Sequence, residues 1–503
     1  MAVNEGRQLI FILALVLVVT FISLAPSLIA GFVNVDDVRN LCANPDVQKL
    51  SLGNVKKIFT SFYVANYLPV TMISFAVDFA LYRFLPFFHH FTNLKLHLFN
   101  CLLVFWLIYL VSKNIFVAGL TAIFFGSHPL RVESVAWISE RKDLLYSFFF
   151  LGAIISYFYY NRRNTTGLYW FSLVLFLFSG LSKVVGIFLL PVFFLMDFLA
   201  GKKWAEAFRG KGPFFIFFCL FGFLGMVAQS SVRAGEVSYS PGFLNNLLFF
   251  GYSVWFFLQK IFFPVKLSCL YFPPEAPLHF TRLSSAGILF FLVSLFFLAV
   301  LFWLRNKKIG FWLLFFIILL VPVVGLNIIF DSAAINDRYS YLPSVGIFYI
   351  LSEFIFFLWK KATENLFKFF LEGVMAVFVA GMIFLTWDRC YVWKNSCTLW
   401  TDALKYAPQS GFCYFERGLA NLELGYLKSA LADFNRVISL LPDSSVAYVQ
   451  RSEVFRRLKN YPEALKDCEK SIALDAKQIS AYRLRTAIYR ELKEQGLLLK
   501  KAQ

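Results

Sequence analysis

Long apolar runs separated by short polar segments are the feature that most restricts the fold of this chain. Hydrophobic residues make up 59% of the 503 residues, charged residues only 16%, and the mean hydropathy is +0.66. A soluble domain has about 25% charged residues. Apolar runs of this length predict transmembrane helices, because a helix satisfies its own backbone hydrogen bonds in lipid. The chain is therefore expected to be an all-α, multi-pass membrane protein with about eleven spans.

The candidate spans lie near residues 8–30, 94–112, 114–127, 144–160, 167–181, 184–200, 213–229, 285–304, 309–328, 341–359 and 368–387. Residues 8–30 read as a retained first span. Residues 243–263 are apolar enough to span, but spanning would reverse the charge pattern of the following loops. We expect them to form a non-spanning or re-entrant helix on the outer side.

Basic residues concentrate in alternate loops, and this bias predicts the orientation. These loops hold Lys113, Arg162, Arg163, Lys202, Lys203, Arg209, Lys211, Arg305, Lys307, Lys308, Lys360, Lys361 and Lys368. By the positive-inside rule the loops and the N-terminus are cytoplasmic. Much of the net charge of +18 is explained in this way, so the charge does not indicate nucleic-acid binding.

The C-terminal part is charged, lacks long apolar runs and repeats with a period of 34 residues. Tyr414, Tyr448 and Tyr482 follow this period, as do Ala430 and Ala464. The period is typical of tetratricopeptide (TPR) repeats, which stack pairs of helices into a solenoid. We therefore expect a membrane domain at 1–388, with a long first outer loop at 31–93, and an extracytoplasmic TPR solenoid at 389–503.

A polar stretch at 128–143, between two candidate spans, carries three acids, three strong bases and a histidine. Charge at membrane depth is costly, so such a cluster is a functional hypothesis by default. The alternative is a solvated loop whose charges set topology. Within the stretch, Glu133 could act as a second acid or as a hydrogen-bonding partner of a substrate, and His128 could do so as well.

Two further groups of polar residues lie in the predicted outer loops. Asp36 and Asp37 directly follow the first span, where a carboxylate could act as a general base or hold a divalent metal; a plain helix cap is the alternative. Cations that could bind an anionic lipid head or a diphosphate are Arg141, Lys142, Lys183 and Arg338. Asp337 and Tyr339 flank Arg338 and are further candidates.

Several function classes lack their sequence signatures. The eight cysteines form no CxxC pair, which leaves a zinc site and a redox motif without support. No P-loop, HExxH or GxSxG motif is present. We assign no metal ligands and no cofactor, although a divalent metal at the paired aspartates is possible.

The order of these motifs resembles one known family. It runs from the paired aspartates through the His-Pro-x-x-x-Glu-Ser-Val-Ala-Trp-Ile-x-Glu-Arg-Lys-Asp loop, a Leu-Ser-Lys turn and an Asp-Arg-Tyr-x-Tyr-Leu-Pro loop to the TPR repeats. This order is similar to that of bacterial membrane TPR proteins related to the transmembrane-and-TPR O-mannosyltransferases of the endoplasmic reticulum. These belong to the GT-C superfamily. Where that family has His-Thr-Glu, this chain has Arg131-Val132-Glu133.

The resemblance implies an inverting transfer of a sugar from a polyprenyl-phosphate carrier to an acceptor hydroxyl outside the cytoplasm. The base would be Asp36 or Asp37, between which the sequence does not choose. Arg338, Lys183 or Arg141 would bind the lipid phosphate, and Glu133 takes the place of the acid in the family's His-Pro loop. The TPR groove would bind an acceptor protein or another partner, and the membrane would be a bacterial inner membrane, with the repeats in the periplasm.

Two other functions fit parts of the sequence. The first alternative is a non-enzymatic, membrane-anchored TPR scaffold that assembles envelope complexes, for which the outer polar residues would be dispensable. A weaker alternative is a flippase or ligase for lipid-linked sugars.

Overall fold

The computed structural model describes residues 2–230, 242–271, 282–329 and 335–495. Every regular element in these ranges is helical, and the pairings between extended segments there are the isolated bridges Tyr63–Asn66 and Tyr271–Ile335. The predicted all-α fold is thus confirmed. Parts of the predicted fourth and fifth outer loops, at 231–241, 272–281 and 330–334, lie outside the described residues.

The chain divides into two compact units. The membrane unit comprises Met1–Phe32 and Asp36–Trp393, and the repeat unit comprises Val33–Val35 and Lys394–Gln503. The predicted domain boundary at 388/389 falls shortly before the second unit's main segment.

The α-helices of the membrane unit are α1 Ala2–Leu24, α2 Leu52–Thr60, α3 Pro69–Tyr82, α4 Pro86–Ser112, α5 Ile115–Ser127, α6 Val132–Ala136, α7 Arg141–Arg163, α8 Thr166–Ser182, α9 Leu189–Leu199, α10 Trp204–Phe208, α11 Gly212–Ser230, α12 Phe243–Phe262, α13 Arg282–Arg305, α14 Lys307–Ile329, α15 Ser344–Lys361 and α16 Asn365–Val392. Those of the repeat unit are α17 Ser396–Tyr406, α18 Gly411–Glu423, α19 Leu427–Leu440, α20 Ser445–Arg457, α21 Tyr461–Leu474 and α22 Ile479–Glu494.

All eleven apolar runs of the sequence contain helices, but their lengths differ. Within the described ranges, six helical segments are long and apolar enough to cross a membrane, or seven if the bent pair α5 and Pro129–Ala136 counts as one span. The six are Gly6–Ile29, Pro86–Ser112, Ile138–Arg163, Gly212–Ser230, Ser285–Arg305 and Asn365–Val392. The chain is a multi-pass membrane protein. The segment expected to be re-entrant forms the 20-residue helix α12, and its place in the membrane stays a prediction.

Local signals explain how α4 and α5 become a tight antiparallel pair. Pro86 occupies the first turn of α4, where its missing N–H costs nothing. The helix ends at Lys113, whose left-handed backbone (φ 60°) closes the last turn. Asn114 then caps α5, since its side chain accepts hydrogen bonds from Phe116 N at 2.9 Å and Val117 N at 3.2 Å. The link between the two helices is thus only Lys113 and Asn114, and α5 leads directly into the polar stretch at 128–143.

The repeat unit shows the predicted 34-residue period in its contacts. Arg417 pairs with Asp433 on the next helix, and Arg451, 34 residues later, pairs with Asp467, both at 2.7 Å. Gly418 packs so close to Phe434 that a Cβ would lie 2.9 Å from the ring. Small residues therefore let the paired helices approach, as a TPR solenoid requires.

We expect Arg451→Gln to loosen α20 and α21. Both Nε and Nη2 of Arg451 donate to the Asp467 carboxylate at 2.7 Å, and that side chain is only 5% exposed. Leaving it unpaired should cost about 1–3 kcal/mol of local stability, measured as faster amide hydrogen exchange of these helices in the full chain. Lys466→Gln is the control, because the Lys466–Glu463 pair is long (3.9 Å) and the lysine is 77% exposed. Equal exchange in both variants would contradict the expectation.

Candidate functional site

The polar stretch at 128–143 is folded into the interior of the membrane unit. It forms the 3-10 turn Pro129–Arg131, helix α6, the 3-10 turn Ile138–Glu140 and the first turn of α7, after a 59° bend at the end of α5. Every residue from 128 to 143 is buried. Buried charge is tolerated only when it is paired and hydrogen-bonded. The alternative of a solvated loop therefore fails, and each charged side chain must have a partner.

His128 is held by both of its ring nitrogens. Nδ1 accepts a hydrogen bond from Leu130 N at 3.2 Å, so Nε2 carries the proton and donates to the carbonyl of Ile261 at 3.0 Å. His128 thus caps the Pro129–Arg131 turn and attaches it to α12. Because both nitrogens have partners, this geometry favours a structural role for His128 over contact with a substrate.

Six charged side chains from three parts of the membrane unit come together, and we call them the charge cluster: Glu133, Glu140, Lys142, Asp143, Lys183 and Arg338. Glu140 lies at its centre. Its Oε1 is 2.9 Å from Lys142 Nζ and 3.4 Å from Arg338 Nε, and its Oε2 is 3.8 Å from Lys183 Nζ. One carboxylate therefore faces three cations.

Each remaining acid of the cluster holds one cation. Arg338 pairs with Glu133 through Nη1, and its backbone N–H donates to the other oxygen of Glu133 at 3.2 Å. Lys183, just after α8, pairs with Asp143 in the first turn of α7. Arg338 also lies over the ring of Trp137 at 5.3 Å, a cation–π contact that orients its guanidinium plane.

The cluster is layered by exposure. The carboxylates of Glu133, Glu140 and Asp143 are at most 2% exposed, whereas the side chains of Lys142, Lys183 and Arg338 are 11–17% exposed. The acids thus form the inner layer of the cluster, and the cations form its outer, partly accessible layer. An arginine with two lysines at such a surface matches the oxygen atoms of a phosphate.

The paired aspartates differ in exposure and in their contacts. Asp37 is fully buried, and its Oδ1 accepts hydrogen bonds from Ser139 N at 2.9 Å and Ser139 Oγ at 2.6 Å. Asp36 is half-buried and lies within electrostatic range of Lys142. Both aspartates are therefore beside the polar stretch, but Asp36 is the accessible one. A general base must reach the proton that it abstracts, and this favours Asp36 for that role.

Arg141 lies in the interior and is 0% exposed. Its Nη2 pairs with Asp78 of α3 at 2.7 Å and donates to the carbonyl of His89 at 3.0 Å, while its Nε donates to Asn93 of α4 at 2.8 Å. The residue thereby joins α3, α4 and α7. This burial argues against the predicted role of Arg141 in phosphate binding, because its guanidinium is already enclosed by protein acceptors.

The loop before α15 supplies Asp337, Arg338 and Tyr339. Tyr339 is half-exposed, with the Arg338 guanidinium 5.0 Å from its ring. Asp337 is buried and accepts a hydrogen bond from the Tyr271 hydroxyl at 2.8 Å. Burial raises the pKa of the Asp337 carboxyl from 3.8 to about 6, against the opposing attraction of Arg389. Asp337 therefore helps to hold in place the loop that carries Arg338.

Two residues of this region were not singled out from the sequence. Glu140 is the centre of the charge cluster. The only sequence feature that pointed to it was its position in the polar stretch. Asp78 is a lone acid in the apolar helix α3, a pattern that marks a buried partner for a cation. As to metals, no group of three or more His, Cys, Asp or Glu within the described ranges is arranged to hold an ion.

We expect Arg141→Gln to destabilise the membrane unit far more than Lys142→Gln. Removing Arg141 leaves Asp78 as an uncompensated buried charge, at a cost of about 3–5 kcal/mol. Removing Lys142 leaves Glu140 facing Lys183 and Arg338. Thermal unfolding of the purified variants in one detergent measures the difference; a comparable loss of Tm for both would contradict the structural role of Arg141.

The Asp337 carboxyl should make stability depend on pH. Its pKa is higher in the folded chain than in the unfolded chain, so the folded form binds the proton more tightly and loses stability as pH rises towards about 6. We expect Asp337→Asn to be more stable than wild type at pH 7.5, by up to about 3 kcal/mol, with the advantage shrinking below about pH 6 and disappearing only below pH 3.8. The difference in Tm between the two proteins across this pH range measures the effect, and a constant difference would contradict it.

Comparison with known proteins identifies relatives that are named protein O-mannosyl-transferases. No protein-family model matches the chain. A Caenorhabditis elegans relative named Protein O-mannosyl-transferase F38B6.6 is 25% identical over 453 residues, which cover 84% of this chain and 62% of the relative. Human Protein O-mannosyl-transferase TMTC1 is 33% identical over 145 residues, 26% of this chain and 16% of the relative.

Drosophila melanogaster Protein O-mannosyl-transferase Tmtc1 is 28% identical over 177 residues, 33% of this chain and 20% of the relative. The chain thus spans less than two thirds of the length of these curated relatives. The resemblance predicted from the order of the motifs is confirmed: over most of its length, this chain is similar to the transmembrane-and-TPR protein O-mannosyl-transferases.

Proposed function

We propose that this chain is an integral-membrane glycosyltransferase that moves a sugar from a polyprenyl-phosphate carrier to a hydroxyl group of an acceptor protein. The observation that carries the proposal is the layered charge cluster, which presents three cations beside an accessible carboxylate, Asp36. The names of the relatives support the same reaction class and suggest mannose as the first sugar to test.

The accessible cations fit the part of the donor that changes charge. Lys142, Lys183 and Arg338 would hold the phosphate that links the sugar to the lipid. As the bond between the anomeric carbon and the phosphate oxygen breaks, its electron pair passes to that oxygen, and the phosphate gains negative charge. Fixed cations in a site shielded from water stabilise this developing charge without reorganising. Because the leaving group is a stable anion, no strong general acid is needed.

Asp36 would activate the acceptor. The acceptor oxygen attacks the anomeric carbon from the face opposite the phosphate and forms the new C–O bond, while its proton passes to the Asp36 carboxylate. The configuration at the anomeric carbon is thereby inverted. Asp37 would position this turn of the chain, since Ser139 holds it by two hydrogen bonds to one oxygen. Glu133 would orient Arg338 rather than meet the acceptor.

The proposed setting follows the predicted topology. The N-terminus would be cytoplasmic, and the charge cluster and the repeat unit would lie on the extracytoplasmic side of the membrane. The concave face of the TPR solenoid would bind the acceptor protein or another partner, as such surfaces do in repeat proteins.

Donor turnover by the purified full-length chain tests this proposal. The substrates are radiolabelled polyprenyl-phosphate sugars, mannose first, and the readouts are released polyprenyl phosphate and labelled acceptor. We expect Asp36→Asn to lower kcat about 10²–10⁴-fold, the range for loss of a general base, with little change in donor KM. Arg338→Gln and Lys183→Met should mainly raise the donor KM.

Two carboxylate variants serve as comparisons. Asp388→Asn removes an exposed carboxylate of α16 and should leave turnover unchanged. If a well-folded Asp37→Asn variant loses turnover while Asp36→Asn keeps it, the base is Asp37. If no donor is turned over, and the full chain binds a partner through its repeats, the scaffold function replaces the transferase.

A further inference from the structure

A cavity lies in the membrane unit, lined by none of the residues of the charge cluster. It has a volume of about 550 Å³ and is bounded by helices α1, α5, α15 and α16. Its walls are largely apolar, with Leu15, Leu120, Ile355 and Leu371 among them. Most of α1 and all of α16 belong to segments able to cross the membrane. The cavity therefore lies at bilayer depth, and its size is in the range of ligand pockets.

The polar side chains that line the cavity and are exposed lie at one of its ends. Gln8 near the start of α1, Trp359 near the end of α15 and Glu372 in the third turn of α16 are all lining residues. Trp359 Nε1 donates to Glu372 Oε1 at 3.0 Å. A tryptophan with a polar partner is typical of the membrane–water interface. This end is thus the mouth of the cavity.

Basic residues lie next to the lining residues of the mouth, one of them by contact and the others by their position in the chain. Lys368 Nζ lies 5.2 Å from the Trp359 ring, and Lys360 and Lys361 directly follow Trp359 in the chain. Arg7 directly precedes Gln8. These four cations outnumber the acids near them in the chain, which are Glu5, Glu364 and Glu372. The excess of positive charge selects an anionic head group, since basic residues next to a membrane attract anionic lipids.

The inner part of the cavity holds an unpaired polar group. Ser352 of α15 lines the cavity and is 0% exposed, and its hydroxyl has no hydrogen-bond partner in the part of the chain that the structure describes. A buried hydroxyl without a partner is costly. An occupant that carries an acceptor, such as an ester carbonyl, would satisfy it.

We propose that this cavity binds an anionic glycerophospholipid, with one acyl chain between α1, α5, α15 and α16 and the phosphate at the basic mouth. Three observations fit this occupant together: apolar walls at bilayer depth, an excess of cations at the interfacial end and an unpaired hydroxyl inside. The lipid would come from the leaflet on the side of the α1 N-terminus. The site is independent of the proposed transferase chemistry.

Native mass spectrometry of the purified full-length chain tests the site, with phosphatidylglycerol and phosphatidylcholine as probes. We expect retained phosphatidylglycerol to exceed phosphatidylcholine at least tenfold. Leu15→Trp combined with Leu371→Trp fills the cavity and should abolish the retention. Leu301→Trp combined with Leu304→Trp adds the same bulk to the exposed side of α13 and should not. Equal retention in both double variants would overturn the proposal.

Three further measurements complete the test. Changing Lys360, Lys361 and Lys368 to Gln should remove the preference for phosphatidylglycerol while some lipid is still retained. In the wild-type chain, which needs no variant to fold, phosphatidylglycerol with a photoreactive acyl chain should label peptides of α1 and α15. Labelling confined to other helices would overturn the proposal. Displacement of the bound lipid by polyprenyl phosphate would also overturn it, because the cavity would then belong to the donor.

Discussion

The membrane unit depends on the pairing of charges that lie inside an apolar protein. Glu140 is the centre of this pairing, since one buried carboxylate faces Lys142, Lys183 and Arg338. These cations come from the first turn of α7, the link after α8 and the loop before α15. Breaking a buried pair leaves an uncompensated charge, which costs far more than a surface pair contributes. The electrostatic requirement of Glu140 therefore fixes the relative positions of three distant segments.

A second set of buried contacts supports the first. Arg141, next to Lys142 in the chain, points into the protein and joins α3, α4 and α7 through Asp78, His89 and Asn93. Successive residues of a helix point about 100° apart, so the two neighbours serve different purposes. One holds the framework together, and the other reaches the accessible layer of the charge cluster.

Much of this arrangement was predictable from the sequence, and the remainder required three-dimensional pairing. The apolar runs predicted the helices, the 34-residue period predicted the repeats, and the unusual mixture of charges marked 128–143. Nothing local to the chain indicates that Arg338 meets Glu133, because 205 residues separate them. Nor could the sequence distinguish Arg141 from Lys142, or Asp36 from Asp37, since each distinction depends on the side to which one side chain points. The contact of His128 could not be predicted for the same reason, because its partner, the carbonyl of Ile261, lies in another helix.

The balance of charges in the cluster has a consequence for the lifetime of a bound anion. Three cations that already neutralise three carboxylates attract a phosphate less strongly than three unpaired cations would, because the buried acids repel it. Such a site binds an anion firmly only while the rest of the molecule contributes contacts. In the proposed reaction, the lipid phosphate gains negative charge when the sugar leaves, so the cations attract it more strongly and the buried carboxylates repel it more strongly, while every contact made through the sugar is lost. The buried carboxylates would then favour release of the spent carrier into the bilayer, so that the site is cleared for the next donor.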